Sequence, residues 1–207
     1  MKTKPSHIIA ISLTSLSLLA GCASYNATSL NGLSSGEFIP PSTSPIKEEI
    51  VVSAKAFNKA DCKRYLDRDV LKKGYQPVQL FIQNNSGKSY SFSLNRISLP
   101  YANSETVAAK VHTSTMGRVL GYGIPGLIVA WPLVIPAIVD GIKSSEANTQ
   151  LDNDFSSKTA KDQTIFPHSY FNKIIFVPSN EYQSQFSITI IDQESNEPKS
   201  FNVTAQG

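Results

Sequence analysis

The sequence predicts a mainly β protein: an antiparallel immunoglobulin-like β-sandwich that carries a hydrophobic helical-hairpin insertion. Six or seven short segments alternate apolar with polar residues, and turn-forming residues separate them, which is typical of a sandwich. The insertion is indicated by helical rather than alternating spacing across 104–160. Because the chain lacks the Cys–Trp–Cys signature of antibody domains, the sandwich prediction rests on the number and pattern of its strands.

The first part of the predicted β-domain covers residues 49–103. Ile50–Phe57 alternates well enough for a first strand. The segment Asp61–Lys73 is predicted to form a short helix with Asp61 as its N-cap, and Gly74 is expected to end it. A helix is therefore expected between the first strand and the second.

Two strongly alternating segments follow, at Val78–Gln83 and Ser89–Asn95. The residues between them, 84–88, are rich in Asn, Ser and Gly, which favour turns. The sequence therefore predicts that these two segments form a β-hairpin.

The second part of the β-domain is predicted at 161–207. Pro167 and Pro178 interrupt its apolar segments, and each proline favours a strand end. The predicted strands lie at Thr164–Phe166, Ile174–Val177, Phe186–Ile190 and Phe201–Val203.

The insertion at 104–160 is predicted to contain two helices. Apolar or small residues recur at helical spacing in each: Val107, Val111 and Thr115 in the first, and Ala147, Leu151 and Phe155 in the second. Ser144 or Ser145 is the expected N-cap of the second helix.

Between these helices, Val119–Val139 contains no charged residue. An unbroken helix of this length would span about 30 Å, the thickness of a bilayer core. Pro125, Pro132 and Pro136 each remove a backbone donor, so a simple helix is not expected.

Small residues at four-residue spacing in this apolar segment allow close approach of helices, and tryptophan favours membrane interfaces. The predicted membrane or oligomer contacts are Gly121, Gly126, Ala130, Trp131 and Ala137. Three interpretations stay open: a re-entrant hairpin in a membrane, a span formed with copies or a partner, and a hairpin buried in its own domain or a soluble interface.

The N-terminus has the layout of an export signal. Lys2 and Lys4 precede the uncharged, mostly apolar run Ile8–Leu19. Leu19-Ala20-Gly21-Cys22 then resembles the lipobox of bacterial lipoproteins. This resemblance implies cleavage after residues 1–21 and attachment of acyl chains to Cys22, which would anchor the protein in a membrane.

Residues 22–48 are expected to form a lipidated N-terminus and a flexible linker, because they are rich in Ser, Thr and Pro. Such a linker would let the folded domain stand clear of the bilayer. No Asp follows Cys22, and by resemblance to Gram-negative lipoproteins this favours a periplasm-facing position on the outer membrane.

Charge and cysteine content exclude some classes of partner. Without the two signal lysines, the mature chain has 17 of its 19 basic residues against 16 acidic ones, so no nucleic-acid partner is expected. Cys62 is the remaining thiol, and burial as a small apolar residue is favoured over an interchain disulfide or a reactive thiol.

The sequence contains no catalytic constellation. Gly121-Tyr122-Gly123-Ile124-Pro125-Gly126 fits a dinucleotide-binding pattern in form alone, since it lies in an apolar run with an internal proline. His112 and His168 have no metal-ligand spacing, and Asp152-Asn153-Asp154 lacks the later residues of a calcium loop. No enzyme activity, cofactor or metal is expected.

The functional expectation is a non-enzymatic, lipid-anchored envelope protein that serves as a structural or assembly subunit of an outer-membrane-associated complex, such as a secretion or export machine. Its partners would be the membrane, through Cys22, and other proteins or copies of itself, through 119–139. The alternative is a transport or pore component whose apolar insertion enters a membrane.

Overall fold

The computed structural model describes residues 24–30, 49–113 and 134–207. The larger of its two compact units comprises Tyr25–His112 and Asn148–Gly207 and contains all the strands of the described chain. The strands are β1 Ile50–Ala56, β2 Tyr75–Asn84, β3 Tyr90–Ile97, β4 Gln163–Ile165, β5 Tyr170–Pro178, β6 Gln185–Asp192 and β7 Pro198–Gln206. The helices are α1 Lys59–Leu66, α2 Ser104–Val111 and α3 Val134–Lys158, with a 3-10 turn at Leu71–Lys73.

All seven strands belong to one sheet in the order β4-β3-β6-β7-β1-β2-β5, which confirms the mainly β prediction. Five of the pairings between these described strands are antiparallel. The pairing of β1 with β7 is parallel, with Ala54 opposite Ala205, so the sheet is mixed and the prediction of a wholly antiparallel fold is wrong. This short parallel pairing joins the first strand to the last and connects the two halves of the sheet.

The predicted hairpin of β2 and β3 is also wrong, although both strands form. β2 pairs with β1 and β5, whereas β3 pairs with β4 and β6. The reason lies in Asn84, whose side-chain amide donates to the carbonyls of Lys88 at 2.7 Å and Phe166 at 2.8 Å. The Asn84 N–H donates to the carbonyl of Ser169. The loop after β2 thus leads the chain into the other half of the sheet instead of back along β2.

One face of the bent sheet encloses an apolar cluster, called here the inner core. It takes alternate residues from both halves of the sheet, which nearly closes like a barrel. The Phe92 ring of β3 lies 4.3 Å, centroid to centroid, from the Phe171 ring of β5. The largest fully buried side chains of the inner core include Leu80, Ile82, Tyr90, Phe92 and Phe171.

A second cluster, the outer layer, covers the opposite face of β2 and β5. The alternation of the strand explains the division: in β5, Phe171 and Ile175 face the inner core, while Ile174 and Phe176 face the helices. Phe155 of α3 stacks on Phe176 with ring centroids 5.4 Å apart. β5 is therefore buried on both faces, as its continuous apolar run suggests.

Two predicted helix starts differ from the structure. Asn58, not Asp61, is the N-cap of α1, and Asp61 is the third helical residue of a capping box with Asn58. The second predicted helix is described from Val134 onward, so Ser144 and Ser145 lie inside α3 rather than at its N-cap.

Candidate functional site

Most of the predicted contact residues lie outside the part of the chain that the structure describes. Cys22, Gly121, Gly126, Ala130 and Trp131 lie outside the described residues. Ala137 lies in the first turns of α3. Among the residues that the structure describes, no helix is both long and apolar enough to cross a membrane.

The candidate site is where the N-terminal segment Tyr25–Leu30, the docked segment, lies on the outer layer. The Leu30 side chain is buried in that layer, and Tyr25 packs against its edge. These six residues differ from the flexible linker predicted at 22–48, because they are bound to the fold; residues 31–48 lie outside the described part of the chain.

The docked segment is held first by its backbone. The Thr28 N–H donates to the Arg64 carbonyl at 2.8 Å, and the Asn26 N–H donates to Asp67 Oδ2 at 3.0 Å. Both acceptors belong to the C-terminal end of α1. The segment therefore follows the end of this helix.

Lys158, the last residue of α3, lies beneath the segment and is 6% exposed. Its Nζ donates to the Thr28 carbonyl at 2.8 Å, the Tyr65 carbonyl at 2.7 Å and Asp154 Oδ2 at 2.6 Å. An ammonium group has three N–H donors, and each is used here. This one buried charge therefore joins the docked segment, α1 and α3.

Tyr25 extends the same network. Its hydroxyl donates to Asp154 Oδ2, and the Arg68 guanidinium lies 5.2 Å from its ring centroid. Burial and then the neighbouring Asp154 carboxylate raise the pKa of Tyr25, so the hydroxyl stays protonated and keeps donating.

Asp67 is the carboxylate that receives the segment, and it is 8% exposed. It is the C-cap of α1 in the left-handed conformation, φ 48°, which aspartate adopts more readily than most residues. Burial opposes its ionisation, but bonds from Lys63 and the Asn26 N–H, together with the charge of Arg68, hold the pKa of Asp67 below its ordinary value.

A pair of amide side chains binds the other end of the segment. Asn172 Nδ2 donates to the Leu30 carbonyl at 3.1 Å, and Gln79 Nε2 donates to Asn172 Oδ1 at 2.6 Å. Gln79 is fully buried, and its Oε1 has no hydrogen-bond partner in the described structure. The outward faces of β2 and β5 thus offer the docked segment a polar contact in an otherwise apolar layer.

The remaining candidate residues are not at this network. Cys62 is buried, as its apolar interpretation predicts, and burial followed by the nearby Asp69 and Asp61 carboxylates raises the pKa of its thiol to about 12. His112 Nε2 lies 2.6 Å from Asp152 Oδ1 near the surface. Within the described ranges, no group of His, Cys, Asp and Glu side chains could hold a metal ion.

Sequence reasoning missed the docked segment because its composition is that of a loop. The available signal was weak: Tyr25 and Leu30 are isolated apolar residues separated by small and polar ones. Lys158 gave no signal for this site, because two of its three acceptors, the Thr28 and Tyr65 carbonyls, come from distant parts of the chain.

Comparison with known proteins gives no relationship from which function could be transferred: no protein family matches the chain, and neither a curated protein nor a solved structure matches it significantly.

Proposed function

We propose that this protein is a lipid-anchored, non-enzymatic envelope lipoprotein, and that it acts as a structural or assembly subunit of an outer-membrane-associated complex. The observation that carries the proposal is the sequence Leu19-Ala20-Gly21-Cys22 at the end of the apolar run Ile8–Leu19. Acylation of Cys22 would anchor the chain, since each buried methylene contributes about 0.8 kcal/mol.

The described site supports a structural role. Lys158, Asp154 and Asp67 direct their polar atoms to backbone groups and to oppositely charged side chains. Their chemistry holds chain segments together. The non-enzymatic part of the proposal rests on this use of the buried charges.

The assembly role is supported by the uncharged segment Val119–Val139. A segment of this length and composition needs a lipid or protein environment, because exposed apolar patches on soluble monomers are much smaller. We propose that it contacts partner proteins or copies of the same chain through Gly121, Gly126, Ala130, Trp131 and Ala137.

We also propose that the fold is an immunoglobulin-like sandwich with a helical-hairpin insertion. The two halves of the sheet enclose one inner core, as the two sheets of an immunoglobulin-like sandwich do. α2 ends at Val111 and α3 begins at Val134, and a helical hairpin is proposed across that interval.

Lipid attachment is tested by the Cys22→Ser variant, which should abolish metabolic palmitate labelling and leave unprocessed precursor. Cys62→Ser is the matched control, because it removes the other cysteine of the chain and should retain labelling. Lipid attachment at Cys22 would be contradicted if palmitate labelling survives in Cys22→Ser, or if it disappears only in Cys62→Ser.

Assembly is tested by the native size of the detergent-extracted complex. Val129→Lys places a charge within the apolar segment, at a cost of about 2.5–3.5 kcal/mol if the residue lies in lipid. Complex size should fall in this variant while membrane permeability stays unchanged. A changed conductance would instead favour the pore alternative, and an unchanged complex would count against the assembly role.

A further inference from the structure

The docked segment begins very close to the proposed lipid attachment point. Tyr25 is three residues after Cys22. Consecutive Cα atoms are 3.8 Å apart, so the Cα atoms of these two residues are separated by at most about 11 Å in any conformation. A lipid on Cys22 therefore keeps the surface around Tyr25 close to the bilayer.

The part of the fold at Tyr25 is the C-terminal end of α1. The Arg68 guanidinium lies 5.2 Å from the Tyr25 ring, and the next residue, Asn26, donates to Asp67 at 3.0 Å. Thr28 is bonded to Arg64 one turn earlier. Three successive contacts thus tie the attachment point to this helix.

The stretch that includes α1 and the 3-10 turn carries a surplus of positive charge. Residues 59–73 contain six Lys and Arg residues against three Asp residues. Asp61 and Asp67 are buried, at 9% and 8% exposed, and bond to Lys55 and to Lys63 with Arg68. The exposed cations, called here the basic face, are Lys59, Lys63, Arg64, Lys72 and Lys73.

The carboxylates nearest the attachment point do not cancel this charge. Asp67 is paired with Lys63 and Arg68, and Asp154 is paired with Lys158. The third Asp residue of 59–73, Asp69, is partly exposed and pairs with Lys72. Residues 59–73 therefore keep a net surplus of three positive charges, six Lys and Arg against three Asp.

We propose that the basic face lies on the membrane and binds anionic phospholipid headgroups, so that the domain is held against the bilayer rather than at the end of a long tether. This inference rests on the proposed anchoring at Cys22. The short connection keeps the cations at high effective concentration near the surface. Their attraction acts within a Debye length of about 8–10 Å, a distance similar to the reach from Cys22 to Tyr25.

The test uses the mature chain from Cys22 coupled through that thiol to a maleimide-headgroup lipid in nanodiscs, so that it does not depend on natural acylation. Cys62 should not compete, because it is buried and its thiol is protonated. Discs of phosphatidylcholine alone are compared with discs containing equal parts of phosphatidylcholine and phosphatidylglycerol. A gadolinium-chelating lipid broadens the amide signals of residues that approach the headgroups.

In the anionic discs, amides of 59–73 should be broadened strongly and those of β3 weakly, since β3 contributes no residue to the outer layer. Arg64→Glu should shift the ratio of bound to unbound orientations by about fivefold or more, the effect expected per surface cation. Arg96→Glu is the matched control, an exposed arginine on β3, and should leave the pattern unchanged. Lys73→Glu replaces Arg64→Glu if the latter disturbs the folded spectrum.

Equal broadening across the whole domain would overturn the inference, because it would mean free rotation on a tether. The lipid-binding role of the charges would be overturned if the broadening pattern is the same in discs without phosphatidylglycerol and neither Arg64→Glu nor Lys73→Glu changes it. If the basic face binds anionic headgroups in discs but Cys22 carries no palmitate in cells, the proposed lipid anchor is wrong, whereas the affinity of the basic face for anionic headgroups is confirmed.

Discussion

The inner core and the outer layer are both clusters of buried apolar residues, but different parts of the fold build them. The inner core consists almost wholly of strand side chains, such as Leu80, Phe92 and Ile188. The outer layer combines the helices, the docked segment and the outward faces of β2 and β5, and its neighbourhood includes the buried polar groups of Lys158 and Gln79.

This difference shows two ways of specifying a buried layer. Burial of apolar surface is non-directional, so alternating strands suffice for the inner core. A buried charge stabilises only the arrangement that satisfies every one of its hydrogen bonds. Lys158 therefore selects one position for a segment that lies 130 residues away at Thr28.

The largest effect is expected for Lys158→Met, which keeps the length of the side chain but removes its three donors. Asp154 and the Thr28 and Tyr65 carbonyls then lose a partner, and the free energy of unfolding should fall by about 3–5 kcal/mol. Urea unfolding followed by circular dichroism measures the change.

The control for this variant is Lys161→Met, an exposed lysine in the segment that follows α3. Its effect should lie within about 0.5 kcal/mol of zero. If Lys158→Met is equally mild, the buried charge does not hold the outer layer, and the proposed contrast with the inner core is lost.

A smaller effect is expected for Leu30→Ala. Such truncations usually lower the free energy of unfolding by about 2–5 kcal/mol, and the loss should lie at the lower end here, because the docked segment can detach without unfolding the sheet. Chymotrypsin should then cleave after Tyr25 faster than global unfolding allows. Ile188→Ala, in the inner core, should lower global stability without this local effect. If Leu30→Ala and Ile188→Ala are cleaved at equal rates when compared at the same global stability, the docked segment and the sheet unfold as one unit.

The smallest effect is a pH dependence that belongs to the sheet. Hydrogen bonds from Lys88 and from the Glu194 N–H lower the pKa of Asp192 from 3.8 to about 2. Since the folded pKa lies below the unfolded one, the ionised form stabilises the fold above pH 4, and this contribution is lost as the pH falls toward 2. In Asp192→Asn, the urea midpoint should change less with pH in that range. Glu197 is an exposed residue of the same turn, and Glu197→Gln should keep the wild-type dependence of the midpoint on pH.

Much of the secondary structure could be predicted, because local alternation reports which side of a strand is buried. The alternating segments at Val78–Gln83 and Phe186–Ile190 lie inside β2 and β6. The pairing of strands could not be predicted in the same way. Asn84 is an ordinary turn residue in sequence, and nothing local predicts its bonds to Phe166 and Ser169, which lie more than 80 residues away.

The candidate site was less predictable than the fold. Cys22 is recognisable from a short contiguous motif, and the apolar segment 119–139 from its lack of charge. The docked segment carries no periodicity, and Tyr25–Leu30 resembles the linker that follows it. Its position depends on partners such as Asp67 and Asn172, which no local pattern connects to it.

The sequence by itself determined the alternating strands, the mainly β class and the resemblance of residues 19–22 to a lipobox, because each is written in contiguous residues. The tertiary structure decided the mixed sheet order and the docking of Tyr25–Leu30. These depend on hydrogen-bond partners far apart in the chain. Such bonds are directional and are satisfied only once the chain has folded, so the pattern of apolar residues cannot encode them.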